Sequence, residues 1–163
     1  IMQEEKKRAA IEKMDSLARI EKEKNNNYRE KATKLSSGVE IYYINKGKGI
    51  KPIEGDEIFF YYEGYLAING VLFGTNRKDI MIAYDRYSAE DESKGWYDPS
   101  KITYSNDMQL IQGFREVLMK MSVGDKVYAY IPSEMGYGNR AMGNRIPANS
   151  DLEFIIELVD ISN

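Results

Sequence analysis

Thirteen tyrosines, five phenylalanines and no histidine or cysteine set the chemistry open to this chain of 163 residues. Without His there is no imidazole base near neutral pH, no Ser-His pair and no imidazole zinc site. Without Cys there is no thiolate nucleophile, no disulfide and no thiolate metal site. An enzyme made of these residues must do chemistry that needs little proton transfer. Tyr joins an apolar ring to a polar tip, which suits a binding groove, although most of these tyrosines are expected only to cover sheet surface. Two other clusters look chemical and fail on spacing. Met135–Gly143 is glycine-rich, but it opens no helix, lacks G-x-G-x-x-G and soon meets Pro147. The acidic residues between Asn76 and Lys101 lack EF-hand spacing and read as a solvated loop. No cofactor and no metal is expected.

The elements that must position these rings follow from periodicity. Met2 to Lys34 is rich in Glu, Lys, Arg and Ala, good helix formers, with a thin apolar stripe at Ala10, Met14, Leu17 and Ala18. It reads as an exposed helical arm, a linker or a partner-binding segment, with a break or bend expected at Asn25–Asn27. A domain then begins near Ser36. Strands are expected over Val39–Ile44, Asp56–Leu66, Lys126–Ile131 and Leu152–Ile161, with Asn69-Gly70 as a hairpin turn into Leu72 and Phe73. Ile58, Phe60 and Tyr62 share one face of the second strand while Phe59, Tyr61 and Tyr65 share the other, so both faces should be covered. Phe114, Val117, Leu118 and Met121 predict one short helix over Gln112–Met121, capped by Gly124. Asn76–Tyr104 has no clean period and reads as a long functional loop or mobile segment, with Asn76–Lys101 a candidate rim for selecting clients. The order predicts an α+β fold with an antiparallel sheet.

Composition narrows the partners. The net charge is only -3 with bases interleaved among acids, which argues against a nucleic-acid binder. No apolar run approaches the roughly 18 to 20 residues of a membrane span, and no secretory signal is visible. Because the chain begins at Ile1 rather than Met, a leader or an upstream domain is expected to have been removed.

Nine short segments, taken in order, resemble the FKBP family of peptidyl-prolyl isomerases. They are Gly38-Val39, Tyr62-Glu63-Gly64, Leu72-Phe73, Leu110-Ile111-Gln112-Gly113-Phe114, Met121-Ser122-Val123-Gly124, Ile131-Pro132, Gly136-Tyr137-Gly138, Ile146-Pro147 and Leu152-Glu153-Phe154. The resemblance implies an FKBP-like twisted antiparallel half-barrel wrapped around one short helix over residues 36–163, with an arm at 1–35 and an insertion at 76–101. The arm and insertion resemble the bacterial subgroup in which such a domain follows a cyclophilin-like one. It also implies an isomerase of X-Pro bonds in unfolded or partly folded clients. The catalytic set would be Tyr62, Phe73, Ile111, Phe114 and Tyr137, with Leu110, Ile146 and Phe154 binding substrate. By periodicity alone Leu110 and Phe114 are ordinary helix-core residues.

Two positions depart from the family pattern. Phe114 stands where Trp is usual, and Gly74 stands where an Asp commonly follows the hairpin Phe; Thr75 and Asn76 are candidates to replace that carboxylate. These departures imply reduced turnover and weakened binding of FK506- or rapamycin-like ligands. The alternative is a peptide-binding or chaperone module with little turnover.

Overall fold

In the computed structural model, which describes residues 1–162, seven antiparallel strands form one sheet with helices on both faces. Across the sheet run β1 (Thr33–Lys34), β2 (Glu40–Asn45), β6 (Lys126–Ile131), β7 (Leu152–Ser162), β3 (Glu57–Leu66) and β4 (Leu72–Thr75), while β5 (Ser100–Thr103) also pairs with β3. The expected strands are all present, within a residue or two at their ends.

Strand β3 organises the sheet. It pairs with β7 from Glu57 to Leu66, and its other edge is divided: β5 takes Glu57–Phe60 and β4 takes Glu63–Tyr65. Between those two partners the Asn76 side chain replaces a strand. Its Oδ1 accepts the Tyr62 N–H at 2.8 Å, and its Nδ2 donates to the Phe60 carbonyl and the Ser100 hydroxyl, both at 3.0 Å. Orphaned ladder groups are costly inside a protein, and one amide satisfies two of them here.

The inner face carries the main core. Ile58 and Phe60 pack with Phe114, Val117, Leu118 and Met121, all buried. Helix α4 (Gln112–Leu118) is shorter than its period predicts and has no glycine cap. Met119 ends it in a right-handed conformation, and Lys120 and Met121 follow in tight turns onto Val117 and Leu118. Gly124, at φ +94°, instead serves the turn into β6, where its N–H donates to the Leu158 carbonyl at 2.8 Å.

Helix α1 (Met2–Glu30) lies on the outer face by its second half, and everything before Met14 except the helix backbone is solvated. The expected break at Asn25–Asn27 is absent, because Asn25 is fully buried against the sheet and packing outweighs weak propensity. Met14 and Leu17 join a second cluster with Tyr65, Leu72 and Tyr84. Tyr28 sits 5.9 Å from the Tyr42 ring and 5.7 Å from Tyr128, and Arg29 grips both Glu40 oxygens at 3.2 and 2.9 Å. The hairpin tip also rests on the arm: a Cβ at Gly70, already at φ +77°, would lie 2.3 Å from the Ala18 carbonyl oxygen.

The seam between arm and sheet is polar. The Tyr65 hydroxyl donates to Glu63 at 2.7 Å, and the Tyr128 hydroxyl donates to Glu153. Burial raises the Glu21 and Glu153 carboxyls above their ordinary range. One oxygen of each, and both amide atoms of Asn25, have no partner.

Residues 76–101 are not the long irregular loop expected. They hold α2 (Lys78–Ala83), α3 (Ala89–Ser93) and the start of β5. Ile80 and Tyr84 pack into the outer cluster with the arm, so α2 and the residue that caps it brace the outer face. Among the described residues, no helix is long and apolar enough to cross a membrane.

Candidate active site

A cavity of about 790 Å³ opens on the inner face between the sheet and the start of α4. That is a size suited to a small molecule or a few residues of peptide. Alternation along the strands builds its floor and walls. Phe60 and Tyr62 come from β3, Phe73 from β4, Phe154 from β7 and Phe114 from the first turn of α4. The Phe114 ring lies 5.0 Å from Phe154, 5.5 Å from Phe60 and 6.2 Å from Tyr62. Phe73 meets Phe154 edge to face at 5.5 Å and 85°. Such edge-to-face packing lets each ring hold its neighbours in place.

Gly64 makes that wall possible. A Cβ there would lie 2.5 Å from the Phe73 ring and 2.8 Å from the Phe154 ring, so only hydrogen fits between them. Tyr137 arrives from a loop fixed by a short turn at Ser133–Met135, where the Gly138 N–H donates to the Ser133 carbonyl at 2.8 Å. Ile111 is the N-terminal cap of α4, which puts its backbone at the helix end where amides lack intrahelical partners. Burial, and secondarily the neighbouring Tyr137, raise the Tyr62 phenol above its ordinary value. It therefore remains a protonated donor at neutral pH.

All eight residues singled out in the sequence line this one cavity: Tyr62, Phe73, Leu110, Ile111, Phe114, Tyr137, Ile146 and Phe154. Sequence reasoning missed Phe60, Ile102, Met108, Arg115 and Arg140, which line it too. Phe60 was legible, since it lies two residues before Tyr62 on the same face. Ile102 and Met108 depend on how the excursion returns to β3, which no local pattern encodes. Of the expected rim at 76–101, only Ser100 and Lys101 reach the cavity.

The departure at Gly74 also takes a definite form. A Cβ there would meet only the Tyr62 hydroxyl, at 3.9 Å. Thr75 and Asn76 do not replace the missing carboxylate, because both are occupied by backbone. The Thr75 hydroxyl donates to the Tyr62 carbonyl at 2.6 Å, and Asn76 fills the gap between β4 and β5.

Residues 48–159 match the family described as FKBP-type peptidyl-prolyl cis-trans isomerase. The chain is 34% identical over 135 residues to FK506-binding protein 2 of Kluyveromyces lactis, covering 82% of this chain and 81% of that protein. It is 31% identical over 133 residues to the FKBP-type 22 kDa peptidyl-prolyl cis-trans isomerase of Escherichia coli, covering 82% of this chain and 54% of that one. The crystal structure of FkpA from Escherichia coli superposes with a TM-score of 0.60 at 27% identity, over 99% of this chain and 68% of that chain.

Proposed function

The chain belongs to the FKBP-type peptidyl-prolyl cis-trans isomerase family, and from that premise we propose how its own residues turn an X-Pro bond. Rotation about that bond faces a barrier of roughly 18 to 20 kcal/mol because amide resonance is lost as it twists. No covalent bond breaks, so a chain without His or Cys is equipped for it. A site accelerates the step by binding the twisted amide better than the planar one, at about 1.4 kcal/mol per tenfold. The twisted amide has a less polar carbonyl and a pyramidal nitrogen, so a dry aromatic pocket favours it.

In this reading Phe114 is the floor under the pyrrolidine ring, and Tyr62, Phe73 and Phe154 are the walls. The Ile111 N–H and the Tyr137 hydroxyl hold flanking carbonyls. Leu110 and Ile146 border the substrate chain. The observation that carries it is the convergence of Phe114, Phe154, Tyr62 and Phe73 around one open cavity. Clients are proline-containing segments of unfolded or partly folded proteins. Phe114 in place of Trp and the vacancy beside Gly74 support lower turnover and weaker binding of FK506- or rapamycin-like ligands. The reading also divides the chain into an arm at 1–35 and the isomerase domain at 36–163. It further places the domain in the bacterial subgroup that follows a cyclophilin-like domain; sequencing upstream of Ile1 tests that point.

The deciding measurement is NMR exchange on a short Leu-Pro peptide with the intact chain and with Tyr137→Phe. Acceleration over buffer, reduced about tenfold by the substitution while the melting temperature holds, is expected. A rate equal to buffer would remove the catalytic reading, and an unaffected variant would remove Tyr137 from it.

A further inference from the structure

The chain carries more acids than bases, 26 against 23, yet the cavity is bordered by charge of one sign only. Its charged lining residues are Lys101, Arg115 and Arg140, and no Asp or Glu lines it. Lys101 is turned away, since its Nζ pairs with Glu57 at 3.2 Å. The two arginines are different. Arg115 on α4 reaches only the Met108 carbonyl, at 3.3 Å, and Arg140 stands exposed three residues after Tyr137. Asp107, an exposed acid that accepts the Ser105 hydroxyl at 2.6 Å, lies within electrostatic reach of Arg115 and offsets part of its charge, but forms no ion pair with it and does not line the cavity.

A third and a fourth arginine extend the same field along β4. Arg145, next to the cavity-lining Ile146, donates to the Phe73 carbonyl at 3.3 Å. Arg86 points at the Leu72 carbonyl, 3.5 Å away, and both burial and Arg145 disfavour its charge. The two guanidiniums lie near each other on backbone carbonyls, so positive charge gathers at this end of β4. Among the described residues, none of these four arginines pairs with a carboxylate. Charge clustered at the mouth of a low-dielectric cleft focuses its field on what enters.

We propose that Arg115, Arg140 and Arg145 select prolines flanked by acidic side chains, so that the preferred substrates of this pocket are Glu-Pro or Asp-Pro segments. The proposal rests on the pocket being the proline site. Arg115 on the helix side and Arg140 and Arg145 on the loop side would hold a carboxylate beside the ring seated on Phe114. A neutral residue of the same shape would fill the same space without that attraction. Arg86 reinforces the field from behind Arg145.

The test uses two capped peptides, Ala-Glu-Pro-Phe and Ala-Gln-Pro-Phe, with the intact chain and an R115Q/R140Q/R145Q variant. Exchange rates by NMR give kcat/KM, and chemical-shift titration gives affinity in the same samples. A preference for the Glu peptide of about fivefold at low ionic strength is expected, shrinking toward unity in high salt. The triple variant should abolish the preference. Equal handling of both peptides at low salt overturns the proposal, as does a preference that survives in the variant. If neither peptide is accelerated, the turnover reading fails, while the ratio of affinities still decides the acidic preference.

Discussion

On the inner face of β3 and β7, the rings of Phe60, Tyr62 and Phe154 meet Phe114 of α4 and leave a cavity between them. One residue along the same strands, Glu63, Tyr65 and Glu153 turn to the outer face, under Glu21 and Asn25 of α1. The two faces share backbone and register but are buried by opposite means. The inner face is uncharged at its floor and stays open; the outer face is closed and keeps carboxylates inside. Each departs from the densely packed apolar interior that stability alone favours. The open inner face gives up packing contacts and gains room for a ligand. The closed outer face gives up solvation and gains a fixed seat for the arm.

The comparison breaks most readily at Phe114. Phe114→Ala removes a ring that contacts three others, so turnover of a Leu-Pro peptide should fall about 100-fold and stability by about 3–4 kcal/mol. NMR exchange and urea unfolding measure the two, and normal turnover would show that the floor is elsewhere. Gly64→Ala comes next. Its new methyl collides with Phe73 and Phe154, so turnover should fall about tenfold with about 1–3 kcal/mol of overpacking cost. An unchanged rate would mean the wall does not have to hold its shape.

Gly74→Asp sharpens the contrast from the other side. It places a carboxylate beside the Tyr62 hydroxyl, where turnover of neutral peptides should rise about threefold through better orientation. The same carboxylate should blunt any preference for acidic substrates, measured as the ratio between Glu-Pro and Gln-Pro peptides.

Glu21→Gln acts on the outer face alone and has the smallest effect. A carboxyl whose proton affinity is raised by folding supports stability fully below the ordinary carboxylate range. It loses that contribution as the pH climbs through its raised value. Removing the charge should therefore raise the melting temperature by about 2–4 °C at neutral pH and by less in acid. Turnover should not change. A melting temperature that falls at neutral pH would mean the carboxylate is stabilised by something other than its visible partners.

Strands β2, β3, β4, β6 and β7, the single inner helix and the eight lining residues were legible because each depends on local alternation or on motif order. Phe114 shows the limit of that reading: its helical spacing places it equally well in a plain core, and only its meeting with Phe154 at 5.0 Å turns it toward the cavity. Asn25 shows the same limit differently. Its weak helix propensity predicts a break, and the sheet beneath it overrides that preference. The excursion at 76–101 was misread because its two helices are short and its strand is recognisable only through pairing with β3.

What the amino-acid order settled by itself is which residues alternate, which chemistry is barred by the missing His and Cys, and which rings travel together in motif order. What tertiary structure alone decided is which partner covers each face of β3, that Asn76 spans a gap between two strands, and that Arg115 and Arg140 line a cavity with no carboxylate in its lining. The physical reason is range. Periodicity is set by backbone geometry over a few residues, whereas burial, cavities and electric fields are sums over groups that only folding brings within a few ångströms.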